Sequence, residues 1–230
     1  MSETRAPVIL AFDTAGSACS VAVGRGDVVL THERREMRHG HAEALLPMID
    51  RVMAAAGCVP RDIGTIAVTI GPGGFTGIRA GLAAAHGLAL ATGARLAGVS
   101  GFAAVAGLIA PDGLPLLVAL DSRREDFYAQ LFDKGLAPIG DPAAIAPDDL
   151  SAWVGHGEIA IAGDAAEGAM AALANREGVR PVSNSAPDAL GVLGALRRWP
   201  ERADPAARPL YLHPPDVSFP KARRDQGKMP

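Results

Sequence analysis

Cysteine, aromatic side chains and an excess of either charge are all scarce in this sequence. Its 230 residues include two cysteines, too few for the disulfide framework of a small secreted domain. Basic and acidic residues number 22 and 25, a net charge of −3, which argues against strong nucleic-acid binding by this chain alone. The most apolar stretch, residues 96–110, is shorter than the roughly 18 residues of a membrane span, and the N-terminal segment has no signal-peptide pattern. We therefore expect a reduced, cytoplasmic protein that does not enter a membrane.

The residues that are abundant predict a folded α/β protein. Hydrophobic residues make up 49% of the chain and charged residues 20%, which excludes global disorder. Apolar runs of strand character alternate with segments of helical spacing, as in α/β folds. Strands are predicted at 8–12, 19–23, 28–34, 63–70 and 95–99, and helices at 39–57, from the loop at 71–77 to about 92, at 100–109 and at 186–199. Residues 133–148 are predicted to form a loop and residues 221–230 a mobile, basic tail.

The chain contains a weak internal repeat. VILAFDTAGSACSVAV at 8–23 aligns without a gap on LLVALDSRREDFYAQL at 116–131, each an apolar strand, an Asp, a turn and a second strand. A fainter pair follows in the same order, at 65–74 and 158–167. One such match is common by chance, but two in the same order favour a duplication.

A breaker cluster, APDGLP at 110–115, lies where the pattern restarts. We therefore predict two related halves, residues 1–110 and residues 111–230, of which the second is the smaller and includes the tail. If both halves place an equivalent turn at the end of their first strand, those turns will face each other across a cleft.

The loop GPGGFTG at 71–77 follows a predicted strand and opens a predicted helix. Free backbone N–H groups and the helix dipole favour an anion at such a position. The loop matches neither the Walker A pattern nor G-x-G-x-x-G, and no lysine lies near it. Two interpretations remain open: an anion site that Arg79 could reach, or a tight turn that needs glycine for its backbone angles and close packing.

Asp13 and Asp121 each end a predicted strand, one in each half. Two carboxylates placed in this way would face the cleft, where they could hold a metal-bound phosphate or position a water. A single Asp at a strand end more often caps a turn, so the repeated pair is what favours the cleft.

Histidines near the start of the first predicted helix do not have the spacing of metal ligands. His39, His41 and Glu43 resemble a cluster, yet the sequence contains neither HExxH nor a His-x3-His pair. We interpret them as residues of a loop or of an interface and predict no metal site.

The helix after the glycine loop has no charged residue from Ala80 to Ala94. A helix that is apolar on all sides is expected to be covered on all sides. One side can cover the sheet, and the other is covered either by the rest of the fold or by another chain. Its small residues permit close helix–helix approach in either case.

Several segments resemble the TsaB family of bacterial proteins, also called YeaZ, which acts in the synthesis of threonylcarbamoyladenosine at tRNA position 37. They are FDTAGSACSVAV, HAEALLPMID, GPGGFTGIRAGLAAAHGLAL, LDSRREDFYAQLF and PLYLHPPDV. The resemblance extends over about residues 8–217 and is strongest at 8–132. It implies the actin-like ATPase, or ribonuclease-H-like, fold, an α/β architecture with two related halves around a cleft.

The resemblance also implies a function and partners. Members of this family are non-catalytic subunits that bind the catalytic subunit TsaD through their first two helices, support the ATPase TsaE and meet tRNA only within the complex. A homodimer of the isolated chain is left open. The implied partner surface comprises His41, Leu45, Leu46, Ile49, Val52, Ile78, Arg79 and Leu82.

The same resemblance implies a phosphate-loop-like set that is either vestigial or part of an ATP or ADP site at the subunit interface. It comprises Asp13, Thr14, Gly71, Gly73, Gly74, Thr76, Gly77 and Asp121. Gly74 stands where the family usually has Ser, which weakens a phosphate role. No other cofactor is predicted. Two enzymatic alternatives are a small-molecule kinase or ATPase that uses Asp13 and Asp121, and a metallopeptidase, for which no converging ligands are found.

Overall fold

Two five-stranded sheets form the framework of the protein in the computed structural model, which describes residues 6–183 and 185–213. The first sheet has the order β3-β2-β1-β4-β5. Its strands are β1 (Val8–Asp13), β2 (Ala18–Arg25), β3 (Val28–Glu36), β4 (Ile63–Thr69) and β5 (Arg95–Val99). The five strands predicted in this region are therefore confirmed, whereas the predicted tail at 221–230 lies outside the described residues.

The second sheet repeats the topology of the first. Its strands are β6 (Leu116–Asp121), β7 (Phe127–Phe132), β8 (Pro138–Ile145), β9 (Ile159–Ala162) and β10 (Val179–Ser183), in the order β10-β9-β6-β7-β8. In each sheet the first strand is central, pairs antiparallel with the next strand and pairs parallel with the fourth. This shared arrangement confirms two related α/β halves with the actin-like, ribonuclease-H-like fold.

The two hairpins that begin these halves differ in register by one residue. Asp13 pairs with Ser20 at the end of β1, whereas Asp121 pairs with Phe127 at the end of β6. A gapless alignment would pair Asp121 with Tyr128, so the predicted gapless match is wrong by one residue in β7. The connection between the paired residues is shorter by that residue in the second hairpin.

In the described part of the chain, six α-helices cover the faces of the sheets. They are α1 (His41–Ala55), α2 (Phe75–Thr92), α3 (Gly101–Ala106), α4 (Pro147–Val154), α5 (Ala166–Ala172) and α6 (Ala189–Arg198). The pair α1 and α2 packs on the outer face of the first sheet, α4 and α5 cover the outer face of the second, and α3 and α6 lie between the sheets. Within the described residues, no helix has the length and apolar character needed to cross a bilayer.

The middle layer is built from small residues. Side chains alternate along β1, so that Leu10 and Phe12 join the core under α1 and α2 while Ala11 faces α6. The two middle helices approach closely, because a methyl group on Gly191 of α6 would overlap the carbonyl oxygen of Ala104 in α3. Helix α6 follows β10 of the second sheet along the chain, yet it packs against the first sheet.

The strand β8 corrects the prediction of a loop at 133–148. It contains Pro138 and Pro142, which lower the strand signal of the sequence. Proline is tolerated here because β8 lies at the edge of the second sheet, next to β7. The buried side chain of Gln130 bridges an irregularity in that pairing, since its Nε2 donates to the carbonyl oxygens of Ile139 (3.0 Å) and Gly140 (3.2 Å).

Candidate functional site

The glycine loop packs against the turn that follows β1. The amide of Gly74 donates to the carbonyl oxygen of Ala15 (2.8 Å), and the hydroxyl of Thr14 donates to the carbonyl oxygen of Gly77 (2.8 Å). A methyl group on Gly73 would overlap Ala15, and one on Gly77 would overlap Thr14, in both cases at the backbone oxygen. Of the two interpretations of this loop, the contacts therefore favour close packing, and the Gly74 amide is not free for an anion.

Asp13 and Asp121 form equivalent turns with different exposure. A carboxylate oxygen of Asp13 accepts from the amide of Ala15 (3.2 Å), and one of Asp121 accepts from the amide of Arg123 (2.7 Å). Asp13 is fully buried, and this burial raises its pKa to about 7. Asp121 is exposed, and its amide donates to the carboxylate of Asp164 (3.0 Å). The two predicted carboxylates are therefore not presented to solvent together.

A cleft of about 600 Å³ opens between the two halves. Asp121 and Asp164 contribute acidic groups to its wall, and Arg38, His39 and Arg123 contribute basic ones. The predicted residue Gly73 also lines it, together with Ala15, Gly16, Ser17, Pro72, Leu120 and Pro187. The cleft expected from two facing turns is therefore present, with a mixed charge.

Three charged residues of the cleft wall, Arg38, Arg123 and Asp164, are not among the residues predicted for the site, and the last two belong to the second half. Arg123 adopts a positive φ of 60°, and its guanidinium nitrogens lie 3.3 and 3.4 Å from where a Cβ of Gly74 would be. Asp164 follows Gly163, which packs against the backbone of Ala119, and burial raises its pKa. The sequence could have indicated Arg123 and Asp164 by their positions, because each lies just after the end of a strand in the second half.

Five of the eight residues predicted for the partner surface face the protein's own core. Leu45, Ile49, Val52, Ile78 and Leu82 are buried in the cluster between the first sheet and its outer helices. Their helical spacing identifies the inner face of α1 and α2, which packs on the first sheet. They are therefore unavailable to a partner in this conformation, and they pack beneath the outer face of the two helices.

The outer face of α1 and α2 is exposed; the part on α2 is largely apolar, whereas the part on α1 also carries Glu43, Asp50 and Arg51. Leu46 of α1 is 50% exposed, and Phe75 and Leu90 of α2 are 44% and 90% exposed. Arg79, Ala83 and Gly87 are exposed along the same side of α2, and His41 is half-buried with its pKa lowered by burial. Within the described residues the rest of the fold does not cover this side, which removes the interpretation of α2 as a helix enclosed within one domain.

No three His, Cys, Asp or Glu side chains converge on a point that could hold a metal ion within residues 6–183 and 185–213. Of the two remaining predicted residues, Thr76 is exposed in the first turn of α2. Gly71 is buried and precedes Pro72 through a cis peptide bond.

Comparison with known proteins identifies the family. The sequence model described as tRNA N6-adenosine threonylcarbamoyltransferase, TsaD, matches residues 34–186. An uncharacterized protein of Mycobacterium tuberculosis is 33% identical over 219 residues, which cover 94% of this chain and 97% of the relative. The TsaB protein of Escherichia coli, a tRNA threonylcarbamoyladenosine biosynthesis protein, is 40% identical over 79 residues, 34% of each chain. The chain belongs to the TsaD family and is a TsaB/YeaZ-like member of it.

A solved structure supports the same fold for this TsaB/YeaZ-like chain. YeaZ from Pseudomonas aeruginosa superposes with a TM-score of 0.76 at 24% identity, covering 90% of this chain and 100% of the other. The family and the fold implied by the resemblance are thereby confirmed. The residue roles implied with them remain predictions.

Proposed function

We propose that this chain is a non-catalytic subunit that binds and supports a TsaD-type threonylcarbamoyltransferase in forming threonylcarbamoyladenosine at tRNA position 37. Membership of the family supports a role in this biosynthesis, and the exposed helices support the finer role. The proposed partner surface is the outer face of α1 and α2, with Leu46, Phe75, Arg79 and Leu90 as its large side chains.

The observation that carries this proposal is the exposure of Leu90 in a helix with no charged residue between Ala80 and Ala94. An isolated exposed Leu needs no explanation, but here the small residues Ala83, Gly87 and Ala91 are exposed near it, and His86 is the larger polar residue among them on that side of α2. Such a face loses little side-chain entropy on binding and lets a partner helix approach closely. Covering it with another chain would remove its apolar area from water.

The test is binding to the purified TsaD-type subunit from the same organism, measured by titration calorimetry and gel filtration. Leu90→Glu should weaken the affinity by at least about tenfold, because a charge would be buried without a partner. Val28→Glu is the matched control, since Val28 is 60% exposed on the edge strand β3, away from the surface. Separate elution of the wild-type chain and the subunit at micromolar concentration would refute the proposal.

The remaining roles follow from this one and are proposed with it. A TsaE-type ATPase would bind the assembled pair, and tRNA would be met only within that complex. The isolated chain would form a homodimer through the same outer face when its partner is absent. The division at residues 110 and 111 would separate the half that carries this face from the half that closes the cleft.

The cleft is the specific observation behind a second candidate, a small-molecule kinase or ATPase. Asp121 and Asp164 in its wall could hold a magnesium-bound phosphate. A related alternative is ATP or ADP bound at the subunit boundary. The burial of Asp13 argues against a kinase or ATPase that uses this residue. Calorimetry with ATP and Mg²⁺ on the wild type and on Asp121→Asn tests this candidate. Micromolar binding that the substitution abolishes would support an ATP site, whereas the absence of any heat of binding would exclude it.

A further inference from the structure

The chain after α6 crosses the cleft end of the first sheet and is fixed there. Asp204 and Gly98 exchange backbone hydrogen bonds (2.8 and 2.9 Å), and the amide of Leu210 donates to the carbonyl oxygen of Ile70 (2.8 Å). Leu210 and Leu212 pack against the middle core. A Cβ on Gly71 would lie 2.5 Å from the carbonyl oxygen of Leu210, so this glycine makes room for the crossing segment.

The end of this segment is attached to the second half. His213 Nε2 lies 2.9 Å from a carboxylate oxygen of Asp126, and the His213 ring lies 5.3 Å from that of Tyr128. The hydroxyl of Ser122 donates to the backbone oxygen of Asp126 (2.6 Å) and fixes the turn. Although burial acts in the opposite direction, the polar neighbours Ser122 and His213 lower the pKa of Asp126. The segment Arg208–His213 therefore joins both halves.

Between these two attachments Tyr211 points outward, onto α2. Its ring is 40% exposed and lies 5.6 Å from the ring of Phe75, at an interplanar angle of 33°. The guanidinium of Arg79 lies 3.5 Å from the centre of the Phe75 ring. These three residues, Arg79, Phe75 and Tyr211, form an exposed cluster that we call the aromatic–arginine cluster.

The chemistry of the aromatic–arginine cluster is that of a binding surface. Within the part of the chain that the structure describes, no carboxylate lies within ion-pair distance of Arg79. Stacking on Phe75 holds the guanidinium in place without neutralising it. Tyrosine and arginine are also the residue types that most often dominate the energy of interfaces. The cluster therefore suits a partner that supplies a carboxylate against Arg79 and an apolar side chain against the rings.

The position of the aromatic–arginine cluster decides which partner this is. Phe75 and Arg79 belong to the same exposed side of α2 as Ala83 and Leu90, so the cluster continues the proposed partner surface at its N-terminal end. We propose that the cluster receives an acidic side chain of the TsaD-type subunit, and that the attachment of His213 to Asp126 holds Tyr211 in the surface. This inference rests on the proposed function and adds to it a second segment of chain.

The test measures affinity for the purified TsaD-type subunit by calorimetry at two salt concentrations. Tyr211→Ala and Arg79→Gln should each weaken binding by about tenfold or more, and Tyr211→Phe should bind like the wild type because the ring is kept. Arg79→Gln should also reduce the salt dependence of the affinity. Val182→Ala is the matched control, an exposed apolar side chain on the edge strand β10. Melting temperatures would confirm that the variants are folded.

A second measurement tests the attachment of the segment. His213→Ala should increase hydrogen exchange at the Leu210 amide and weaken binding severalfold, whereas Tyr211→Ala should leave that amide protected. Unchanged affinity in His213→Ala would overturn the holding role.

The outcomes separate this inference from the proposed function. If the wild-type chain does not bind the subunit, the proposed function fails. If it binds, and Tyr211→Ala and Arg79→Gln bind within twofold of it, the aromatic–arginine cluster is not part of the surface; the binding role of the chain then stands, with a partner surface that excludes the cluster. Self-association of the chain that Tyr211→Ala abolishes, with subunit binding unchanged, would assign the cluster to a second copy and overturn the inference.

Discussion

At the residue scale, the carboxyl group of Asp13 shows how burial changes the properties of a residue whose position was predictable. Its counterpart Asp121 makes the same turn but is exposed. Within the described residues, one carboxylate oxygen of Asp13 has no hydrogen bond of good geometry, and the Thr69 hydroxyl beside it lowers the pKa by less than burial raises it. The folded pKa of about 7 therefore reflects a group that loses hydration without full replacement.

This shift predicts a pH dependence of stability. Because the folded pKa of about 7 lies above an unfolded value near 4, the folded state binds more protons in between, and stability falls as the pH rises through that window. Asp13→Asn removes the ionisation and should raise the free energy of unfolding at pH 8 by about 2–4 kcal/mol, with little change at pH 4. Urea denaturation at both pH values measures this.

The control for that experiment is Asp121→Asn, which replaces the equivalent but exposed carboxylate and should change stability by less than about 0.5 kcal/mol at pH 8. If the free energy of unfolding depends on pH in the same way in the wild type and in Asp13→Asn, the prediction that burial makes ionisation of Asp13 costly is wrong. The sequence identified both Asp residues by their repeat, but only the packing around them makes one buried and the other solvated.

At the scale of the element, α2 combines two kinds of glycine. Gly77 faces the turn after β1, where a methyl group would overlap the carbonyl oxygen of Thr14, whereas a methyl group on Gly87 would meet nothing within 4 Å. Both are glycines within one apolar helix, and the sequence pattern does not distinguish them. The helix itself was predictable, because its long run of Ala and Leu has high helix propensity.

The two positions predict opposite effects of the same substitution. Gly77→Ala should destabilise the protein by about 1–3 kcal/mol, because the backbone of the turn must move. Gly87→Ala should stabilise it by up to about 1 kcal/mol through helix propensity alone. Thermal denaturation of the two variants measures both, and equal melting temperatures would contradict the described packing of α2 on the turn.

At the scale of the whole molecule, α6 connects the two halves. Its N-cap residue Asp188 accepts from the amide of Leu190 (2.7 Å) and contacts His32 (3.1 Å) and Arg34 (3.4 Å) of β3. The amide of Ala189 donates to Ser20 (2.9 Å). A helix that follows the second sheet in the chain is thus bound to the first sheet, so the halves should unfold together.

Removing this connection should be costly. Asp188→Ala deletes a helix cap and leaves the partly buried Arg34 without this carboxylate, and should lower the free energy of unfolding by about 2–4 kcal/mol. Arg180→Ala breaks the exposed Arg180–Asp112 ion pair and should cost less than about 1 kcal/mol. A single calorimetric transition is expected for the wild type, and two well-separated transitions would contradict the connecting role of α6.

What the sequence by itself determined was local and periodic: the strands of the first sheet, the presence and approximate extent of α1 and α2, and the repeated strand–Asp–turn unit. These follow from hydrophobic period, turn residues and helix propensity, which act over a few residues. The same rules failed at β8, where prolines on an edge strand imitate a loop.

Tertiary structure alone decided which side of each element is covered. Leu45 and Leu82 continue the apolar spacing of their helices into the core, while Leu90 with the same chemistry is left in solvent. The meeting of Tyr211 with Phe75 joins residues that are far apart in the chain. Burial and such contacts depend on which surfaces the folded chain brings together, and no pattern within a single segment contains that information.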